Sequence, residues 1–74
     1  MEVYMKDKMI QALIAHAESH IAKHKMNVEI FLTNPVGVGE HPAIMDSIEA
    51  ELNEIATYED QLEVLNKHFV IYAS

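Results

Sequence analysis

Apolar positions recur at helical spacing on both sides of a single break. Between residues 2 and 33, Ile10, Ile14, Ala17, Ile21, His24, Val28 and Phe31 follow steps of four and three, the period of one helix face. Met9 and Leu13 widen this stripe on one flank. Ala12, Ala15, Ala17 and Ala22 favour helix because alanine loses no side-chain freedom there. The pattern predicts a helix over about 2–33, about 48 Å long at 1.5 Å per residue. A second stripe runs through Ile44, Ile48, Leu52, Ile55, Tyr58, Leu62, Leu65 and Phe69, flanked by Met45 and Val64. It predicts a helix over about 42–69, about 42 Å long.

Both prolines and both glycines lie in the break, Asn34-Pro35-Val36-Gly37-Val38-Gly39-Glu40-His41-Pro42. Pro35 disfavours helical geometry at Asn34, so the first helix should stop at Thr33 or Asn34. Pro42 suits the first position of a helix, where its missing N–H costs nothing. Asp46 and Glu49 are then expected near the positive end of the helix dipole. A loop over 34–41 and a tail over 70–74 complete a single domain of 74 residues. Gly-Val-Gly before a helix start is a weak phosphate-loop signal, since no third glycine and no lysine follow. One segment is ambiguous: residues 28–33 are β-branched and aromatic enough to form a strand. The alternative fold has short strands at 28–33 and 69–73 flanking the second helix. The unbroken phase of Val28 and Phe31 favours the helix.

The expected architecture is all-α, a long antiparallel two-helix hairpin. Positions whose numbers sum to about 76 then pair, bringing Phe31 near Met45, Val28 near Ile48, Ile21 near Ile55, Ala17 near Tyr58, Ile14 near Leu62 and Ile10 near Leu65. Small Ala17 opposite large Tyr58 is what close packing requires. Each helix is apolar over a wider arc than one partner covers. That excess points to a homodimer closing an antiparallel four-helix bundle. Met9, Leu13, Ala17, Met45, Leu52 and Val64 are the candidate interface residues.

Charge sharpens this picture. Residues 2–33 hold four acids and four lysines, whereas residues 42–69 hold seven acids against Lys67. With Glu40 this gives the net charge of −7. An acidic helix repels phosphate backbones, so nucleic-acid binding is not expected. It could instead dock a basic protein partner or mimic nucleic acid. No apolar run reaches the roughly 20 residues of a membrane span. The N-terminus lacks a basic region followed by an apolar core, and a cytoplasmic protein is expected. The chain has no cysteine, which removes disulfides and thiolate zinc sites.

The candidate chemistry is a histidine ladder. His16, His20 and His24 lie one turn apart on one helix face, and two such imidazoles can chelate zinc, nickel or copper. The antiparallel register places Glu51 opposite His24, and Glu59 or Asp60 opposite His16. A hydrogen-bonded core role for His24, paired with Glu51, is the plainer expectation, with His16 and His20 half-exposed at the edge. Glu-x-x-His pairs of di-iron bundles are absent, since Glu18, Glu59 and Glu63 are followed three positions later by Ile21, Leu62 and Asn66. Glu40 and His41 beside the loop are expected to do ordinary capping. A thin hairpin offers no pocket to shift the pKa of a general acid. No enzyme and no cofactor are therefore expected.

The loop string Asn34 to Pro42, with Ile48-Glu49 and Tyr58-Glu59-Asp60-Gln61-Leu62-Glu63-Val64-Leu65-Asn66-Lys67-His68-Phe69, resembles short uncharacterised proteins of tailed phages, especially those infecting marine cyanobacteria. The resemblance covers the stretch from Asn27 to Phe69 and implies a phage or marine bacterial origin and a small accessory protein, in the host cytoplasm if phage-encoded. That family has no assigned activity, so the resemblance transfers no functional residue. The overall expectation is a non-enzymatic protein–protein interaction or structural module. The alternatives are metal binding by the histidine ladder and an acidic inhibitor of a host protein.

Overall fold

Two long runs without an internal Gly or Pro become two long helices. In the computed structural model, which describes residues 2–33 and 41–69 and side chains from residues 5 and 43 onward within them, α1 spans Glu2–Thr33 and α2 spans His41–His68. The helices pack against each other as a hairpin, and the described residues contain no strand. Residues 28–33 are helical, so the strand alternative fails there: a seam that keeps its helical phase outweighs local β preference. Most of the expected loop, 34–40, and the tail 70–74 lie outside the described residues.

The helix ends follow local chemistry. Thr33 Oγ1 donates to the carbonyl of Glu29 at 2.7 Å, a back-bond that occupies one carbonyl in the last turn of α1. α2 begins at His41, one position before Pro42, and its first turn holds no acidic residue. The dipole effect fades within one turn, so Asp46 and Glu49 draw less from it than a start at Pro42 suggests. Lys67 and His68 occupy the last turn, where cations suit the negative end. The N–H of Phe69 continues the ladder to Leu65 O at 2.8 Å.

The result is a rod of 57 × 17 × 16 Å. Contacts run antiparallel: His24 and Asn27 meet Glu51, His16 and His20 meet Tyr58, and Ile10 shares a groove with Leu65. Along the seam Ile10, Ile14, Ile21, Val28, Phe31, Ile44, Ile48, Ile55, Leu62 and Leu65 are half-buried. Among the described residues Ala17, at 1% exposure, is the buried apolar residue and His24, at 7%, the buried polar one. Two helices in contact cover one stripe each, so a fully enclosed core needs more elements than a hairpin has.

Of the six candidate interface residues, Ala17 is buried within the hairpin, at the seam position its place in the α1 stripe predicts. The other five are exposed: Met9, Leu13, Met45, Leu52 and Val64. Met45, expected at the flank of the α2 stripe, is 62% exposed.

Candidate functional site

The middle of the hairpin carries a cluster of three histidines, one asparagine, one tyrosine and two glutamates. α1 supplies His16, His20, His24 and Asn27, and α2 supplies Glu51, Glu54 and Tyr58. The four-residue steps on α1 stack the imidazoles over successive turns. The antiparallel register then brings Glu51 to the level of His24 and Tyr58, two turns further on, to that of His16 and His20.

At the lower end a hydrogen-bond network crosses the helices. His24 Nδ1–H donates to Glu51 Oε1 at 2.7 Å, and Asn27 Nδ2 donates to the same oxygen at 2.9 Å. The two donors hold the Glu51 carboxyl below its ordinary value of 4.5, the His24 bond first and Asn27 next, against an opposing push from desolvation. His24 Nε2 lies 3.8 Å from Glu54 Oε1, an ion-pair distance and too long for a hydrogen bond.

At the upper end the rings converge on Tyr58. His20 stacks on it with centroids 4.5 Å apart and planes at 16°, and His16 meets it edge-on at 5.9 Å. His16 and His20 are 4.4 Å apart. His20 Nδ1 is buried with no hydrogen-bond partner. Desolvation holds the His20 imidazole below 6.5, followed by the neighbouring His16, Lys23 and His24, with Glu54 acting the other way.

This geometry distributes the ladder differently from a chelating set. His24 is committed to Glu51, His20 to the face of Tyr58, and His16 is exposed. Among the described residues no group of three or more His, Asp or Glu is placed to hold a metal ion. The His16–Asp60 proximity expected from register is present as a shared groove. The stacking role of Tyr58 is absent from the residue spacing, because a helical stripe gives the level of a ring and not the direction of its reach.

Beside the ring cluster lies an apolar face. An open groove of about 480 Å³ is lined by Met5, Lys6, Met9, Ile10, Leu13, Leu65 and Phe69. A second is lined by Leu13, His16, Asp60, Gln61, Val64 and Leu65, and a third by Met9, Ala12, Leu13 and His16. Leu13 lines all three, so they form one continuous surface centred on it. Met5, Met9, Leu13, Val64 and Phe69 are 44–61% exposed there. Met45 and Leu52 expose a separate strip on α2. No helix among the described residues is long and apolar enough to cross a membrane. No family model, curated protein or solved structure matches this chain.

Proposed function

We propose that this protein is a non-enzymatic interaction module that works by self-association, a homodimer that closes its apolar faces into a four-helix bundle. The observation that supports this reading most strongly is the inversion between core and surface. One apolar residue is buried among the described residues, whereas ten large apolar side chains are at least 44% exposed. A surface of this kind on a chain this small serves an interface. The grooves are open and shallow, and the polar cluster ties the two helices together, so no enclosed chemistry is part of the reading. The resemblance to phage proteins would make it a small accessory component.

Light scattering behind size exclusion tests the proposal. A mass twice the 8.4 kDa of the chain that persists to low micromolar concentration is expected. A monomer at high micromolar concentration would end it.

A second reading rests on a separate observation. Asp46, Glu49, Glu54, Glu59, Asp60 and Glu63 of α2 are all exposed. They form an acidic surface suited to a basic partner or to mimicry of nucleic acid. Capture of such a partner should weaken steeply between low and high salt. Salt-insensitive capture would count against it.

A further inference from the structure

The exposed stripe on α1 is self-complementary when run antiparallel to itself. Its exposed members are Met5, Met9, Ala12, Leu13 and His16, with half-buried His20 at its end; on either side of the Ala12–Leu13 centre they follow the four- and three-residue steps of a helix–helix seam. Their numbers pair to the same sum of 25: Met5 with His20, Met9 with His16, Ala12 with Leu13. The third groove is lined by the inner four of these residues, which are symmetric about the point between Ala12 and Leu13.

We infer that a second copy of this chain docks here, α1 against α1 in antiparallel sense, with the two-fold axis passing between Ala12 and Leu13. This rests on the self-association proposed above and specifies its geometry. An isologous contact of this kind requires a patch that is complementary to itself under a two-fold rotation. The pairing meets that requirement in detail. Ala12 opposite the partner's Leu13 sets small against large at the centre. Met9 opposite the partner's His16, and Met5 opposite the partner's His20, set a polarizable thioether against an imidazole ring. Tyr58 contacts both rings, edge-on at His16 and stacked at His20, which restrains their orientation.

Charge selects α1 over α2 for the central contact. α1 carries four acids and four lysines, a net charge of zero, and α2 carries seven acids and one lysine, a net charge of −6. A seam of α2 on α2 would bring two such acidic helices within one interaxial spacing of about 8–10 Å. The α1 seam keeps them on the outside, beyond a Debye length of about 8 Å at physiological salt. The sum of 25 pairs residues 2–23 of the two copies, so the α1 seam runs about 33 Å.

Because the chain has no cysteine, single-cysteine variants give an unambiguous test. Leu13→Cys should cross-link to itself in near-complete yield with oxidised glutathione as the electron acceptor. Met9→Cys alone and His16→Cys alone should not, because each lies about seven residues, or roughly 10 Å along the axis, from its own copy and a disulfide needs Cα atoms within about 7 Å. An equimolar mixture of the Met9→Cys and His16→Cys chains should cross-link. Helical circular dichroism of each variant confirms folding, and if Leu13→Cys fails to fold the mixture carries the test by itself. Self-cross-linking of Met9→Cys would mean a parallel pairing or a two-fold axis at another level, and either would overturn the inference. So would a dimer by mass that cross-links through Leu52→Cys and not through the Met9→Cys and His16→Cys mixture; the self-association reading would survive that result. A monomer by mass would overturn both.

Discussion

His24 and Glu51 are joined across the hairpin by a 2.7 Å hydrogen bond, with Asn27 donating to the same carboxylate oxygen at 2.9 Å. His24 is the buried polar residue of the described seam. A buried polar group is stabilising when paired and costly when its partner is removed. The Glu51 carboxylate therefore fixes the register of two helices that share few fully buried apolar contacts.

Glu51→Ala should lower the melting temperature, because His24 and Asn27 both lose their acceptor. Thermal melts followed by circular dichroism measure this. Glu54→Ala, whose carboxylate is only at 3.8 Å, should have a much smaller effect. Equal effects from the two substitutions would remove the special role given to Glu51.

Ala17 should tolerate no larger residue. It is 1% exposed, and inserting side-chain volume into a closed seam costs about 1–3 kcal/mol. Ala17→Leu is thus expected to lower the melting temperature by several degrees, roughly 4–8 °C per kcal/mol for a domain of this size. Ala22→Leu, in an exposed position of the same helix outside the proposed seam, should have a much smaller effect.

Tyr58 organises the imidazoles through its ring. Tyr58→Phe keeps the stack on His20 and should be close to neutral. Tyr58→Leu keeps apolar volume and loses the ring pair, at about 1 kcal/mol. The two chemical-denaturation midpoints compared side by side decide this, and identical midpoints would contradict a stacking role.

Acidification should destabilise the fold in two stages. His20 faces His16, Lys23 and His24 on α1 and Glu54 and Tyr58 on α2. Its folded-state value lies below the unfolded 6.5. As pH falls through 6.5 the unfolded chain takes up this proton first, so stability is complete above 6.5 and declines toward the folded value. Glu51 is lowered from 4.5, so its contribution is present above 4.5 and is lost as pH falls through its folded value. Melting temperatures from pH 8 to 4 should fall first below about 6.5. His20→Gln should flatten that first stage, and a first stage unchanged by that substitution would contradict the assignment.

Much of this fold was legible in the spacing of the apolar residues. Steps of four and three gave both helices, and the sum of about 76 anticipated the His24–Glu51 pair and the Ile10–Leu65 level. Two features were not legible, for physical reasons. Pro42 suits the first or second position of a helix alike, and α2 starts at His41. The convergence of His16 and His20 on Tyr58 depends on side-chain direction, which residue spacing does not carry. The same spacing left the ladder open to a chelating reading, and the Tyr58 stack and Glu51 bond engage two of its three rings.

The central claim is that the apolar faces of the hairpin are closed by association, so that folding and assembly are one equilibrium. The most direct test is the melting temperature by circular dichroism across a hundredfold range of protein concentration. The account predicts a midpoint that rises steadily with concentration, as linkage of folding to dimerisation requires. A midpoint that stays constant over that range would contradict it, because it would mean that one hairpin is stable alone with its apolar faces open to water.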